Sequence, residues 1–270
     1  MQTSRDTRPS SLSDFVDALQ ATGRYTFTHA EAVAALGRSD KAVRSALGRL
    51  AAKQRIVSPR RGFHVIVPLE YRSAGGPPPS WFIDALMDFI GRPYYVGLLT
   101  AAMIHGAAHQ SPQEFQVITS GPLRTARAGR ARIRFLTKRR VERTPTMRVS
   151  TPAGSMRVST REATALDLVR YAPSIGSLDT VATVLVELAN RLDGSLLVEA
   201  AQADQELATV QRLGYLLERV GGGSVTGPLA EWLAAQRPRP TRLRPDRPLG
   251  AARKDERWAL YVNETVEPDL

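Results

Sequence analysis

Four polar residues between positions 41 and 49 are spaced so that one face of an α-helix would carry them all: Lys41, Arg44, Ser45 and Arg49. The opposite face would carry apolar residues at helical spacing (Val43, Ala46, Leu47 and Leu50). Lys and Arg on a helix can reach guanine edges and phosphate oxygens in the DNA major groove. The segment therefore predicts a DNA-reading helix, with docking of another protein as the alternative.

A second basic feature follows that helix. Two β-prone runs, Ile56-Val57 and Phe63 to Val67, flank a Pro-Arg-Arg-Gly sequence, which is typical of a hairpin turn. Arg60 and Arg61 would then lie at the tip of the hairpin. We assign Lys41 and Arg44 to base edges or phosphate, and we assign Arg49, Arg60 and Arg61 to phosphate.

These residues need a scaffold, and the first seventy-five positions predict one. A helical pattern covers Ser13 to Gln20, and Thr28 with Glu31 forms a capping box that opens a second helix ending at Gly37. Ser39 caps the third helix. Three short helices and a hairpin predict a winged helix-turn-helix, preceded by a polar tail, "MQTSRDTRPSS", and ended by the breaker-rich "SAGGPPPS".

The stretch from 121 to 161 holds twelve basic residues and one acidic residue, Glu142. Strand-like "ARIRFLT" and "MRVST" lie within it, so the arginines are expected to project from a sheet. The stretch could extend a DNA footprint, grip an acidic protein or RNA, or simply be solvated. The candidate second basic surface comprises Arg124, Arg127, Arg130, Arg132, Arg134, Arg139 and Arg140.

Catalytic and metal chemistry have little support in the sequence. His105 and His109 have the spacing of two metal ligands on a helix, but the HExxH glutamate is absent and no third ligand follows. The chain has no cysteine and no GxSxG motif, and "GGGSVTGP" lacks the lysine of a phosphate-binding loop. We therefore expect no enzyme activity, no metal and no cofactor.

Composition sets the broad class. The 270 residues carry a net charge of +11, which favours a polyanionic partner, and 43% are hydrophobic, which favours a folded core. Apolar runs are too short for a membrane helix, so a cytoplasmic protein without membrane contact is expected.

Alternating helical and strand-like segments predict an α+β fold in three parts. A winged helix-turn-helix (1–75) precedes a central α/β region (76–160) with a small, Arg-rich sheet, and a mostly helical region (161–270) closes with the strand "RWALYVNE". Within these parts, "GRPYYVGLLTAAMIHGAAHQ" predicts a helix and "EFQVITS" a strand. Further helices are expected over 163–171, 178–192 and 206–220, followed by a short helix over 229–235.

Several blocks of the chain, taken in order, resemble the AbiEi-type antitoxins. "YYVGLLTAAMIHGAAHQSPQEFQVITS" is similar to the family's Tyr-x-x-x-Leu-x-Ala-x-x-x-His-Gly-x-x-x-Gln block, and "MRVSTREATALDLVRY" to its strand and Ala-Leu-x-Asp-Leu helix. "VQRLGYLLERVG" and "RWALYVNETVEPD" resemble the family's Arg-Leu-Gly-Tyr-Leu-Leu-Glu segment and closing strand.

The resemblance implies an antitoxin of a type IV, phage-defence module that also represses its own operon. Such a protein binds double-stranded DNA at inverted repeats through its winged helix. Its C-terminal region counteracts a nucleotidyltransferase-like toxin without a stable complex. His105, Gln110, Tyr215 and Asn263 are the antitoxin-side candidates in the matching blocks.

Two alternatives remain open. One is a winged-helix regulator without a toxin, whose C-terminal region binds a ligand or another protein. The other is a nucleic-acid-processing enzyme or accessory factor.

Overall fold

A computed structural model of the protein describes residues 9–107 and 112–268. Its helices are α1 (Leu12–Ala21), α2 (His29–Leu36), α3 (Asp40–Ala52), α4 (Ile83–Ile90), α5 (Leu98–Ile104), α6 (Arg161–Arg170), α7 (Ala172–Ile175), α8 (Leu178–Ala189), α9 (Gly194–Asp204), α10 (Leu207–Arg219) and α11 (Gly227–Ala235). Its strands are β1 (Thr26–Thr28), β2 (Ile56–Arg60), β3 (Phe63–Ile66), β4 (Tyr94–Val96), β5 (Phe115–Thr119), β6 (Ala126–Ala128), β7 (Ala131–Thr137), β8 (Thr146–Thr151), β9 (Gly154–Ser159), β10 (Thr241–Arg242), β11 (Arg253–Asp255) and β12 (Leu260–Val262). The predicted α+β class is confirmed.

The chain forms two compact units. Unit 1 comprises residues 1–93, 122–135 and 148–156, and unit 2 comprises 94–121, 136–147 and 157–270. The boundary therefore passes through β7, β8 and β9. The three-part division from the sequence stays a prediction.

Unit 1 begins with α1, β1, α2, α3, β2 and β3. The three strands form an antiparallel sheet in the order β1-β3-β2, and the helices contribute Val16, Leu36 and Leu47 to a common core with Phe27 and Ile66. Local signals positioned these elements. The capping box at Thr28, the left-handed Gly37 (φ 58°) and the Ser39 cap are all confirmed.

A hairpin from the Arg-rich stretch belongs to the same unit. Strands β6 and β7 pair antiparallel, with Arg127 opposite Arg132. The backbone N–H of Arg130 donates to Ala74 O at 2.9 Å. Gly129 has φ 60°, and a Cβ on it would lie 2.3 Å from that same Ala74 oxygen, so only glycine permits this close approach.

Unit 2 contains the larger core. Strand β4 pairs antiparallel with β5 and parallel with β9, and α5 to α11 pack around a cluster of buried aliphatic residues that also includes Trp258. A small sheet in the order β10-β12-β11 closes the chain, as the sequence predicts for "RWALYVNE". No helix in the described ranges is both long and apolar enough to cross a membrane.

Two local predictions are corrected. The helix predicted for "GRPYYVGLLTAAMIHGAAHQ" begins only at Leu98, because Tyr94, Tyr95 and Val96 favour β-structure and pair with strands on both sides. Helix α9 was not predicted at all. Its buried face includes the small residues Ala200 and Ala201 and the charged Asp204, while Leu196 is exposed, so its apolar periodicity is weak.

Candidate nucleic-acid interface

Helix α3 presents the basic face that the sequence predicts. Val43, Leu47 and Leu50 are buried, and this fixes the rotation of the helix. The remaining polar positions all lie exposed: Lys41, Arg44, Ser45 and Arg49. Ser45 donates its hydroxyl to Lys41 O at 3.1 Å. The exposed side therefore offers three cationic side chains over about two turns of helix.

Asp40 restrains two cationic groups at the start of α3. Its carboxylate accepts from Arg44 within the helix and lies within hydrogen-bond distance of the His29 ring from α2. The contact with His29, together with that of Arg44, lowers the pKa of Asp40. Arg44 is thus held near the N-terminus of α3, the part of a recognition helix that approaches base edges.

The β2–β3 hairpin carries Arg60 and Arg61 at its turn. Arg61 is exposed, Arg60 is half-buried, and Gly62 (φ 83°) supplies the left-handed residue that the turn needs. Gly62 O accepts from His29 N at 2.8 Å, which links the hairpin to the start of α2. The two arginines therefore extend from a firmly attached turn.

His64 belongs to strand β3 of this hairpin, and it is 7% exposed. Its Nδ1 is 2.8 Å from Ser58 Oγ, and its ring lies 5.1 Å from the Phe27 ring. Burial, with His29 nearby, lowers the pKa of His64 to about 4. The side chain is therefore neutral near neutral pH.

The β6–β7 hairpin adds a second basic surface to unit 1. Arg124, Arg127, Arg130 and Arg132 are exposed, and Arg134 is half-buried. Like charges directly opposite each other destabilise an antiparallel pair, and Arg127 faces Arg132 in this way. An anionic partner would relieve that repulsion.

The rest of the predicted second surface lies in unit 2. Arg139 and Arg140 are exposed there, but their neighbour Lys138 is 5% exposed and does not project from a sheet face with them. The expectation of projection from a sheet concerns the arginines, so Lys138 does not contradict it, but Lys138 is a buried cation within the same stretch. Buried carboxylates attract its ammonium inward.

Lys138 is part of a buried ionic cluster. Its Nζ lies 2.8 Å from both Asp167 Oδ1 and Asp204 Oδ1. Tyr95 donates its hydroxyl to Asp167 at 2.7 Å, and Arg170 donates to Asp204 at 2.7 Å. Burial raises the pKa of Asp167, and Lys138 opposes that rise. Burial and the Asp167 carboxylate also raise the pKa of Tyr95.

Sequence reasoning missed this cluster because its members are far apart in the chain. One signal was available: Asp167 is the acidic residue within the apolar "TALDLV" helix. A carboxylate on a buried helix face needs a partner, but the sequence does not say which residue supplies it.

The antitoxin-side candidates have different surroundings. His105 is buried and its Nε2 donates to Ser159 O at 2.8 Å, while burial lowers its pKa. Asn263 accepts from Arg244 N and donates to Arg244 O and Pro248 O, so it fastens a loop. Gln110 lies outside the described residues.

Tyr215 is half-buried on the wall of an open groove of about 630 Å³. Glu218, Arg219 and Arg257 line the same groove. Of the described candidates, Tyr215 is the one best placed to meet another molecule.

The "RLGYLLE" segment has a clear packing role. Leu213, Leu216 and Leu217 are fully buried, and a Cβ on Gly214 would lie 2.1 Å from the Trp258 ring. The indole N–H of Trp258 donates to Glu218 at 3.0 Å. The glycine is therefore required by the indole ring that lies against the helix.

Residues 9–107 and 112–268 contain no cluster of three or more His, Asp or Glu side chains that could hold a metal ion. His109, the second histidine of the HGAAH spacing, lies outside these ranges.

Comparisons with known proteins identify part of the chain. Residues 95–219 match the family described as the AbiEi antitoxin C-terminal domain. The fold is similar to the crystal structure of the RV2827C protein from Mycobacterium tuberculosis, with a TM-score of 0.66 over 94% of this chain and 92% of that one, at 15% identity. That likeness concerns the fold alone. No curated protein matches the sequence.

Proposed function

We propose that this chain, whose residues 95–219 form an AbiEi antitoxin C-terminal domain, represses its own operon by binding DNA through unit 1 and counteracts a nucleotidyltransferase-like toxin. Unit 1 would act as a winged helix-turn-helix, with α3 in the major groove and the β2–β3 hairpin as the wing. The order of its helices and strands fits that arrangement.

The main support for the proposed DNA binding is the distribution of charged residues between the two units. Unit 1 contains 19 basic and 8 acidic residues, whereas unit 2 contains 18 of each. The entire net charge of +11 therefore belongs to the unit that holds α3 and both basic hairpins. Concentration of basic residues in one unit is the electrostatic footprint of a nucleic-acid-binding domain.

Within unit 1 we assign different roles to the basic residues. Lys41 and Arg44, near the start of α3, read base edges. Arg49, Arg60 and Arg61 bind phosphates. The β6–β7 hairpin binds flanking phosphates through Arg127, with Arg132 facing it across the strand pair.

A binding titration on the DNA upstream of the gene tests the base-reading role. Arg44→Ala should cost about 1–3 kcal/mol on the cognate sequence and reduce discrimination against a scrambled one. The matched control is Arg239→Ala, which removes an exposed arginine of unit 2 and should leave binding unchanged. Equal cognate affinity for Arg44→Ala and the unaltered protein would rule out this role.

For the antitoxin half, unit 2 supplies the family-matched core and the groove beside Tyr215. We infer that the protein acts without catalysis, in the cytoplasm, where operator and toxin would both be found. His105 and Asn263 would then support the neutralising surface through their hydrogen bonds, and Tyr215 would contribute to it directly.

Co-expression with the neighbouring toxin gene tests this half. Tyr215→Ala should lose growth rescue while operator binding persists, and Arg44→Ala should show the opposite pattern. Soluble, folded protein must first be verified for both variants. Full rescue by Tyr215→Ala would remove Tyr215 from the surface. The absence of any toxin-like neighbour would favour a winged-helix regulator that acts alone.

A further inference from the structure

A small cavity opens above the buried ionic cluster of unit 2. It has a volume of about 130 Å³ and is lined by Lys138, Arg139, Arg140, Arg170, Asp204, Gln205 and Glu206. Three chain segments meet here: the residues that follow β7, the end of α6, and the turn between α9 and α10. Nothing in the proposed repressor or antitoxin functions uses it.

The floor of the cavity is rigidly built. Lys138 is held between Asp167 and Asp204, and Arg170 donates to Asp204. Tyr171 donates its hydroxyl to Thr137 O at 2.7 Å and so fixes the chain immediately before Lys138. The rim above this floor is thereby attached to a network of buried and partly buried ion pairs.

The rim has more positive charge than its carboxylates neutralise. Four cationic residues line the cavity against two carboxylates, and Asp167, which pairs with Lys138 beneath the lining, brings the local net charge to +1. Arg139 is exposed and has no hydrogen-bond or ion-pair partner within the described part of the chain. Arg140 bonds only the neutral amide oxygen of Gln205, so its charge is also uncompensated.

One further detail indicates an absent acceptor. The Nε of Arg170 is buried and finds no acceptor among the residues that the structure describes. Gln205 has φ 58° because it is the left-handed residue that ends α9, with its N–H bonded to Ala201 O, and its side-chain amide bonds Arg140.

We propose that this cavity binds a phosphate group. A monoester or inorganic phosphate carries a charge of about −1.5 to −2 near neutral pH and three strong acceptor oxygens, which suit the arginine donors at the cavity. Arginine forks bind phosphate oxygens in pairs, and Arg139 and Arg140 are both available. The protein thus has a phosphate site in the unit that has no net charge.

The size of the cavity limits what the phosphate can belong to. A volume of 130 Å³ exceeds the roughly 10–15 Å³ that a single water requires, but it is below the roughly 300 Å³ of a pocket that encloses a drug-sized ligand. The cavity therefore takes the phosphate itself, and any attached nucleoside or chain stays outside the mouth.

Calorimetric titration of the full-length protein with inorganic phosphate and with adenosine monophosphate tests the site. We expect binding with a Kd at or below about 1 mM. The double variant Arg139→Gln/Arg140→Gln should bind at least about tenfold more weakly. Arg143→Gln removes an exposed arginine that does not line the cavity, and it should bind like the unaltered protein.

The variant Glu206→Gln distinguishes a phosphate-binding role of the residues around the cavity from a purely structural role. Glu206 is an exposed carboxylate on the rim, 3.4 Å from Arg170, and its side chain makes no capping bond to α10. Its removal should tighten phosphate binding by about threefold. A purely structural cluster would give no such gain.

The titration results distinguish two sources of the phosphate, and they also decide whether the proposal stands. Binding of both ligands with equal affinity indicates a free-phosphate site, and tighter binding of the monophosphate indicates a site for nucleotide or nucleic-acid ends. Absence of binding by the unaltered protein, or equal binding by the double variant, overturns the proposal. Since the site lies in unit 2, Arg44→Ala should retain phosphate binding even if operator binding is lost.

Discussion

Lys138, Arg139 and Arg140 are consecutive in the chain, yet they have different surroundings. Lys138 lies between two buried carboxylates, Arg139 has no partner among the described residues, and Arg140 bonds a neutral amide. A buried carboxylate is stable as an ion only with a paired cation. Burial of Asp167 therefore decides which of the three side chains turns inward.

Gly214 is a second residue whose identity follows from its neighbour. Gly214→Ala should lower the free energy of unfolding by about 1–3 kcal/mol, because the added methyl would overlap the Trp258 ring. Gly48→Ala is the matched control, since it lies within α3 with nothing near its Cβ position and should raise stability by about 0.5–1 kcal/mol. Urea denaturation monitored by circular dichroism measures both. Equal shifts in the two variants would contradict the packing argument.

His64 makes stability depend on pH. Its pKa of about 4 in the folded protein lies below the ordinary value of 6.5, so the unfolded chain binds the extra proton between these values. Its contribution is complete above about pH 6.5 and is lost as the pH falls towards 4. Between about pH 7 and about pH 5 the loss should be about 2 kcal/mol.

The variant His64→Gln does not titrate and should remove that part of the pH dependence. Denaturation curves at several pH values measure the difference in slope between the variant and the unaltered protein. His105 also has a lowered pKa and remains in both proteins, so it cancels in the comparison. Parallel slopes would show that His64 does not titrate as its burial implies.

At the scale of elements, a backbone contact with Ala74 and Gly75 attaches the β6–β7 hairpin to the rest of unit 1. Gly129 and Gly75 approach so closely that a Cβ on Gly129 would lie 2.4 Å from the carbonyl carbon of Gly75. The hairpin arginines are consequently attached by main chain, whatever their side chains bind. This attachment joins a distant part of the sequence to the proposed DNA-binding unit.

Gly129→Ala should disrupt that attachment. The substitution places a methyl group against backbone atoms that cannot move aside and should cost at least about 1–3 kcal/mol of stability. Gly154→Ala is the control, because Gly154 also has a positive φ (136°) but has open space around it. Hydrogen exchange in β6 and β7 should accelerate in the first variant and not in the second. Unchanged exchange in both would mean that the contact is dispensable.

At the scale of the whole molecule, the net charge belongs to one unit and the family-matched core is centred on the other. Unit 2, with equal numbers of basic and acidic residues, has no net charge that would attract DNA as a whole. Repression and neutralisation could then be altered separately by substitutions in different units.

The salt dependence of DNA binding should show that the phosphate contacts come from unit 1 and not from unit 2. Each phosphate contact contributes about −0.9 to the slope of log K against log salt concentration. Arg127→Gln/Arg132→Gln in unit 1 should therefore make the slope shallower by about 0.9, the contribution of the Arg127 contact, whereas Arg237→Gln/Arg239→Gln in unit 2 should leave it unchanged. Equal slopes for the two double variants would place the β6–β7 hairpin outside the footprint.

Local signals in the sequence were sufficient for α2, α3 and the β2–β3 hairpin of unit 1. The caps at Thr28 and Ser39, the left-handed Gly37 and the apolar spacing of α3 each act within a few residues, so they define both the helices and their exposed basic face. The candidate residues Lys41, Arg44 and Arg49 could be selected from that spacing alone. Short-range hydrogen bonds and helical periodicity do not depend on the rest of the chain.

Only the tertiary structure decided how the Arg-rich stretch is divided. It attaches Arg127 and Arg132 to unit 1, buries Lys138 against Asp167 and Asp204, and leaves Arg139 on a cavity rim. These outcomes depend on contacts between residues up to about seventy positions apart, Tyr95 and Asp167 among them. The type and spacing of neighbouring residues carry no information about such pairings, because long-range packing determines which charges lose their water.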